Sequence, residues 1–444
     1  MSSSNYAFRS AVVAALGGFL FGFDTAVISG VESSIQDLWS LDNFAHGFTV
    51  ASALIGTVIG SLIAGRPAEK WGRKKILQAI GLLYLVTSLA TALTSSWEVF
   101  VTFRFLGGIG VGASSVIGPM YISEISPAHK RGRLVALFQF NVVSGILIAF
   151  LSNYLLFGVS DEAWRWMLGV QAIPALVFFT MVFFVPESPR WLVKKQQSAE
   201  AEKVLASMGE SDPGRALKSI QESLYTTPGT TKESVFNGKY NKPVMYVVAL
   251  AMFNQLSGIN AIMYYAPRIF EMTGLARNTA LLQAISIGVT NMVFTLLAIS
   301  VIDRFGRKTL LIIGSVGMVI ALGLVTWTFY THDFGGYDVM FYLVGFIAFF
   351  AFSQGAVIWV FMAEIFPNIV REQGQTLGSF THWIMAVIIS WVFPIIAESS
   401  GNGGFYSFLL FTLMMLLHGI FAWKVIPETK GKSLEGIQRE VISH

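Results

Sequence analysis

Apolar stretches long enough to cross about 30 Å of hydrocarbon recur along the whole chain. They fall at 8–30, 48–65, 76–95, 97–120, 134–156, 166–185, 243–267, 279–301, 309–330, 338–361, 373–395 and 405–426, with one longer polar region at 186–242. Backbone groups in lipid have no water to bond, so a spanning segment must be a helix or a strand of a closed barrel. Runs near 20 residues fit helices, since a barrel strand needs only about 10. The pattern therefore predicts an all-α, multi-pass membrane protein with twelve transmembrane helices. The first run is too long for the apolar core of a signal peptide, and no cleavage site follows it. In the polar region, Ala199, Glu200, Lys203, Val204 and Leu205 give 198–208 a helical pattern. Pro213 can open a second helix at 213–225, with Leu217, Ile220 and Leu224 on one face. These short helices are expected to latch the two halves described below; the alternative is a loose tether.

The charges orient the runs. Arg66, Lys70, Arg73, Lys74 and Lys75 lie between runs 2 and 3, Lys130, Arg131 and Arg133 between runs 4 and 5, and Arg304, Arg307 and Lys308 between runs 8 and 9. The region 186–242 holds nine more basic residues, whereas the odd-numbered joints hold only Arg165, Arg268 and Arg277 beside acids such as Glu32, Asp37, Asp42 and Asp161. The short-loop bias places both termini in the cytoplasm.

The chain also echoes itself. Glu124-Ile125-Ser126-Pro127 with Arg131 returns 240 residues later as Glu364-Ile365-Phe366-Pro367 with Arg371. Trp71-Gly72-Arg73-Lys74 returns as Phe305-Gly306-Arg307-Lys308, and Pro186-Glu187-Ser188 as Pro427-Glu428-Thr429. The order is kept, which predicts a duplicated unit. Residues 1–185 form an N-terminal six-helix bundle and 243–426 a C-terminal one, joined by a cytoplasmic linker at 186–242 and followed by a tail at 427–444. Tandem halves of this kind suit a transporter whose bundles rock about a central site.

Composition narrows the class further. The 444 residues are 54% hydrophobic and 13% charged, with no cysteine and a net charge of +4. Such a chain is neither disordered nor a conventional soluble enzyme, and thiolate metal sites are excluded. Thirty basic against 26 acidic residues is no nucleic-acid-binding excess.

Taken in order, the motifs resemble the sugar porter family of the major facilitator superfamily, nearest to its bacterial proton-coupled monosaccharide symporters. The resemblance covers nearly the whole chain. It rests on Gly65-Arg66 with Gly72-Arg73-Lys74, on Pro119, Tyr121, Glu124 and Arg131, and on Pro186-Glu187-Ser188-Pro189-Arg190. It rests further on Gln255-Leu256-Ser257-Gly258-Ile259-Asn260, on Asp303-Arg304 with Gly306-Arg307, and on Pro427-Glu428-Thr429-Lys430-Gly431. It implies two pseudo-symmetric six-helix bundles, alternating access, and a monosaccharide, hexose or pentose, as cargo in a cell membrane. No cofactor is implied. Two bundles already make a complete path, so a monomer embedded in lipid suffices.

Charges at the helix ends form a candidate cytoplasmic gate: Glu69, Arg73, Glu124, Arg131, Asp303, Arg307, Glu364 and Arg371. Opposite charges there can pair bidentately across helices, closing the inner face and parting when it opens. The alternative is topology marking and contact with lipid headgroups. Glu69 stands where the family usually has Asp.

Within the spans, Asp24 lies mid-run, where an acid costs about 3 kcal/mol even on lenient scales. Arg104 is the only basic residue deep in a first-half span. An Asp24–Arg104 pair facing the bundle interior is expected, and a motion that separates it would change the proton affinity of the acid. A static structural pair is the alternative. The resemblance favours coupling, since proton-linked members carry this Asp and facilitators commonly Asn.

A sugar needs amides that donate and accept, and an aromatic wall. Run 7 supplies Asn254, Gln255 and Asn260, followed by Tyr264 and Tyr265 as a candidate extracellular gate. Gln255 and Asn260 lie about 140° apart on a straight helix, so the break that Gly258 permits has to bring them together. Run 5 adds Gln139, run 8 Asn291, run 10 Trp359, and run 11 His382 and Trp383. Any one of these amides can instead glue helices together. The resemblance matches Gln139, Gln255, Asn260, Asn291 and Trp359 to family sugar contacts. Departures from its pattern are Asn254 for Gln, His382 for Asn or Gln, and Ala356 after Gly355 where Gly-Pro is common. The last of these predicts a weaker bend in that helix. His382 could titrate if it met water.

No nucleophile elbow, P-loop, zinc-protease or dinucleotide motif is found, and the six histidines lack metal-ligand spacing. The glycine row Gly107–Gly112 reads as close helix packing. A facilitative uniporter is the nearest rival to a symporter, with Asp24 against it. A polyol transporter and a sugar sensor stand further off.

Overall fold

A computed structural model of the chain describes residues 3–127, 130–225, 233–367, 369–399 and 401–430, with backbone alone for 3–5, 223–225 and Asp303. The linker stretch 226–232 and the tail beyond residue 430 lie outside the described residues. Among the described residues, twelve helical segments are long and apolar enough to cross a membrane. Several outrun the apolar pattern: the first span reaches Leu38 and the fourth Ile125, because Glu32, Gln36 and Glu124 continue their helices as buried or terminal polar residues.

The chain divides into two compact units. Unit 1 comprises Met1–Val27, Ile55–Ser152 and Leu156–Thr230. It takes in most of α1 (Ser3–Leu38), the later part of α2 (Asn43–Ile63), α3 (Gly65–Trp71), α4 (Arg73–Leu93), α5 (Trp97–Ile125) and α6 (Arg131–Leu156). It continues through α7 (Ala163–Gly169) and α8 (Ala172–Met181), then the polar helices α9 (Pro189–Lys194), α10 (Ser198–Ser207) and α11 (Pro213–Tyr225). Small residues set how closely its spans approach. A Cβ on Gly112 of α5 would stand 2.2 Å from the carbonyl oxygen of Thr57 on α2, so close packing requires the glycine at this position of the row, while a Cβ on Gly110 would make only an ordinary contact with Leu83. The polar helices are packed within this unit: Leu192, Val193 and Ala201 are buried together, with Val204, Leu217 and Ile220 against them. Ser188 caps α9 by accepting from the Trp191 N–H at 3.3 Å, with Pro189 in the first turn.

Unit 2 comprises Ile28–Leu54, Asn153–Leu155 and Thr231–His444. It holds the end of α1 and the start of α2 together with α12 (Asn241–Leu256), α13 (Ile259–Glu271), α14 (Arg277–Phe305) and α15 (Arg307–Thr331). α16 (Asp338–Phe352), α17 (Gln354–Ile365), α18 (Arg371–Ala397) and α19 (Gly403–Lys424) complete it. Its core gathers Val247, Leu310, Phe361, Phe366 and Ala422. In both units, large apolar side chains such as Leu93, Phe184, Val316 and Trp423 stay exposed, the outer surface that lipid requires.

Among the described residues, two spans are broken by non-helical backbone, whereas Val170 and Gln171, between α7 and α8 of the sixth span, keep helical φ/ψ. The seventh is split at Gly258, whose φ of +84° lies in the left-handed region. The tenth is split at Ser353 (φ −120°, ψ −91°), so the weaker bend expected from Ala356 in place of a proline is not what the structure shows. Ser353 Oγ donates to the carbonyl of Phe349 at 2.6 Å, and the Gln354 amide turns inward to His418 Nδ1 at 3.1 Å. Polar groups that compete with the helix ladder thus do what proline does elsewhere.

A Cβ at position 258 would meet the Phe411 ring at 2.4 Å, in addition to adopting an unfavourable φ. Gly258→Ala is therefore expected to lower stability by about 1–3 kcal/mol, read as a lower thermal midpoint in detergent. An unchanged midpoint would show that the break can move elsewhere.

Candidate functional site

Three groups of polar residues stand out, each within one unit. The first lies where α4 begins. Arg73 grips Glu124 of α5 with two bonds, Nε to Oε2 and Nη2 to Oε1, both 2.9 Å. Ser188 Oγ donates to the same carboxylate at 2.5 Å. Glu187 accepts the backbone N–H groups of Arg73 (2.9 Å) and Ser188 (2.8 Å) and that of Lys74 at 3.2 Å. A carboxylate thereby caps the positive end of a helix whose first residues are cations. Gly72, φ +98°, makes room: a Cβ there would meet Glu187 at 2.1 Å.

Unit 2 repeats this arrangement. Arg307 Nη2 donates to Glu364 at 2.7 Å, and Thr429 Oγ1 donates to Glu364 at 2.6 Å. Glu428 accepts the N–H groups of Arg307 and Lys308 at 3.0 and 3.1 Å, beside Gly306 with φ +87°. The three sequence echoes are thus one device built twice: a cation at a helix start, an acid on the neighbouring helix, and a capping acid with a hydroxyl.

Of the other helix-end charges, Glu69 is largely exposed and pairs with Lys194 of α9 at 2.9 Å. That bond lowers its carboxyl below the ordinary range, against a smaller effect of burial. Arg131 is exposed and lines a cavity of about 320 Å³ with Arg190 and Glu210. Arg371 donates to the carbonyl of Phe366 at 3.3 Å. Neither Arg131 nor Arg371 meets a carboxylate among the described side chains, and the side chain of Asp303 lies outside them.

The second group is the buried ion pair in unit 1. Asp24 on α1 and Arg104 on α5 are 8% and 4% exposed, and Arg104 Nη1 donates to Asp24 Oδ1 at 2.9 Å. Eighty residues separate them in the chain.

The third group is in unit 2, around the break in the seventh span. Gly258 ends α12 and restarts the chain as α13, so Asn260 Nδ2 reaches back to Gln255 Oε1 at 2.7 Å. Gln255 Nε2 donates to Asn254 Oδ1 at 2.9 Å and lies 3.2 Å from His382 Nε2. The His382 ring is 5.0 Å from both the Trp359 and Trp383 rings. Trp359 is 42% exposed, an aromatic face left open beside buried amides. Six expected residues are therefore brought together. His382 is buried, so the exposure its titration would need is not met. Asn291 is half-buried on α14, apart from this hydrogen-bonded group, and Gln139 is exposed on α6 of unit 1. Tyr264 and Tyr265 are buried; Tyr265 leaves the helical conformation (φ −120°, ψ 21°) and donates to the carbonyl of Ser390 at 3.0 Å.

Two polar groups escaped the sequence reading. His418 of α19 is fully buried, its Nδ1 2.7 Å from Ser315 Oγ and 3.1 Å from the Gln354 amide. Glu32 of α1 is also fully buried and ion-paired to Arg268. Glu32 and Arg268 had been read as joint residues; the available clue was that the helical pattern of run 1 continues past residue 30.

Comparison with known proteins agrees with this architecture. The family described as sugar (and other) transporter matches residues 10–441. The D-xylose-proton symporter of Escherichia coli (strain K12) is 36% identical, over 98% of this chain and 96% of that protein. The arabinose-proton symporter of Bacillus subtilis (strain 168) is also 36% identical, over 96% of this chain and 93% of that protein. The inward open structure of the xylose transporter XylE from E. coli superposes with a TM-score of 0.86 at 35% identity, covering 98% of this chain and 100% of that one.

The capping device carries a pH signature. Burial pushes the Glu187 carboxyl above its ordinary value of 4.5, and the N–H groups of Ser188, Lys74 and Arg73 pull it part of the way back. The folded protein then holds this proton more tightly than the unfolded chain does. The contribution is present below the ordinary value and lost as pH rises through the raised one. The thermal midpoint of Glu187→Gln, relative to the parent, is expected to climb from pH 4.5 towards neutrality. A constant difference across that window would reject the assignment.

Proposed function

The chain belongs to the sugar transporter family, with the major facilitator fold, and from that premise we propose that it takes up a monosaccharide together with a proton by alternating access. It is an integral, multi-pass membrane protein and not an enzyme. The observation that carries proton coupling is the Asp24–Arg104 pair. A motion that parts the pair leaves its charge uncompensated in apolar surroundings, where only a proton or water can take the arginine's place. A conformational change that opens the pair therefore binds a proton, and one that closes it expels the proton. The relatives named as proton symporters support this reading.

In the same proposal, Gln255 and Asn260 hold sugar hydroxyls, with Asn254, His382, Trp359 and Trp383 as the rest of the wall and Gln139 and Asn291 as outlying contacts. Both polar atoms of the Gln255 amide are already engaged, with Asn260, Asn254 and His382 around it. Sugar hydroxyls can take over those bonds, so binding replaces hydrogen bonds rather than creating them in a dry pocket. Tyr264 and Tyr265 form the outer cover. The Arg73–Glu124 and Arg307–Glu364 clusters, with Glu69, Arg131, Asp303 and Arg371 near them, form the cytoplasmic gate region. The proposed organisation is two six-helix halves, 1–185 and 243–426, with both termini cytoplasmic, acting as a monomer in lipid.

The test is uptake into proteoliposomes over a panel of hexoses, pentoses and polyols, with and without an imposed pH gradient. Asp24→Asn is expected to lose concentrative uptake and keep exchange of sugar across the membrane. Intact gradient-driven accumulation in that variant would overturn proton coupling through Asp24. Gln255→Ala is expected to raise the half-saturating sugar concentration roughly tenfold, the loss of about 1–3 kcal/mol. Unchanged affinity would remove it from the site.

A further inference from the structure

A second buried carboxylate lies on α1, in the part of that helix that belongs to unit 2. Glu32 has no exposed surface. Arg268 of α13 donates through Nε to Glu32 Oε1 at 3.1 Å, and its Nη2 stands 2.9 Å from Oε2. His46 of α2 places Nε2 2.9 Å from the same Oε2. Arg268 also reaches Gln36 of α1 and Glu398 beside the end of α18. Around this centre, Arg277 of α14 donates to the carbonyl of Gly30 at 2.8 Å, and Trp391 of α18 donates to that of Phe44 at 3.2 Å. The end of α1 and the start of α2 are thus tied to α13, α14 and α18 through one fully buried charge and the groups around it.

The energetic consequence follows from burial. Removing one partner of a buried pair leaves an uncompensated charge, which is far costlier than losing a surface ion pair. Arg268 cannot move away from Glu32 unless water or a proton replaces it. Arg268 also sits on the half-helix that begins at the Gly258 break and carries Asn260 in its first turn. Asn260 and Arg268 stand in the first and last turns of α13, on either side of the kink at Tyr265. Arg268 thereby holds the outer part of α13, and with it Tyr265, whose hydroxyl is bonded to the Ser390 carbonyl.

We propose that the Glu32–Arg268 ion pair is the latch that holds α13 closed over the sugar site at the end of the spans opposite the Gly-Arg-Lys turns, and that it must part before sugar enters from that side. The proposal rests on the transport reading above. Glu32 is assigned as a positioning residue: it acts on the site through Arg268 and α13 and touches no sugar.

The chain has no cysteine, so a single introduced thiol reports accessibility without background. Ser390 is fully buried, its carbonyl held by the Tyr265 hydroxyl. Ser390→Cys therefore reacts with a membrane-impermeant maleimide only when α13 lifts. Adding Glu32→Gln is expected to speed that labelling roughly tenfold, and to lower the maximal rate of uptake more than the apparent sugar affinity. Arg268→Lys keeps the charge but loses the forked geometry. It is expected to speed labelling by less, and it carries the test if Glu32→Gln does not fold. Labelling unchanged in the folded variants overturns the latch, whatever the uptake. Faster labelling in a chain that moves no sugar on the panel leaves the latch standing and overturns the transport reading instead.

Discussion

A charge within the spans of this chain has to bring its partner with it. An acid at mid-membrane costs about 3 kcal/mol on the lenient scales and more on others, and α1 carries two buried ones. Asp24 is met by Arg104 from α5, and Glu32 by Arg268 from α13. Each pair pins α1 to a helix far away in sequence, because a helix placed otherwise would leave a bare charge in an apolar medium. The scarcity of charge, 13% of the chain, is what makes these few contacts decisive. At a water-exposed surface the same pairs would be worth only fractions of a kcal/mol.

The same demand for satisfaction acts on the backbone and explains where the spans break. At Gly258 the helix stops because only glycine tolerates the local conformation beside Phe411, and Ser257 meets the backbone around the break, its hydroxyl donating to the Asn254 carbonyl at 2.6 Å and accepting the Ile259 N–H at 3.3 Å. At Ser353 no glycine or proline is the cause; a serine hydroxyl and an inward-turned glutamine bonded near His418 take over from the ladder. The first break could be foreseen, since two amides five residues apart could meet only if the helix bent. The second could not, because His418 and Ser315 lie 64 and 39 residues from Gln354 and only the fold brings them to it.

This marks what was legible in the sequence. Twelve spans, the polar helices at 198–207 and 213–225, and the Asp24–Arg104 pair follow from run length, periodicity and the rarity of charge. The repeated Pro-Glu-Ser and Pro-Glu-Thr motifs were legible as repetition but not as helix caps, since the N–H groups they cover belong to residues more than 100 positions earlier. The charges at helix ends were the least legible. Arg73 and Arg307 found the expected acids, whereas Glu69 turned to Lys194 on a helix too short to show periodicity. Glu32 was hidden for a different reason: hydropathy places it beyond the apolar core, while tertiary packing buries it completely.

The two carboxylates of α1 give the helix a role that neither would give alone. Asp24 and Glu32 are eight residues apart on one uninterrupted helix, about 12 Å along its axis. The boundary between the two compact units falls between them, after Val27. Energetic coupling between sites needs an element with two arrangements that both sites bias. A rigid helix with one ion pair in each unit meets that requirement without a chain of intermediate contacts. Movement of α1 that opens the Asp24 pair displaces Glu32 by a comparable amount, and a buried pair loses its bonds within an ångström or two. In the proposed mechanism, proton uptake at the first acid and release of the half-helix held by the second would both follow from one displacement. An asparagine at position 24 would break that linkage while leaving the Glu32 latch in place. On this proposal, loss of coupling and loss of gating would be separable, although both would be carried by the same helix.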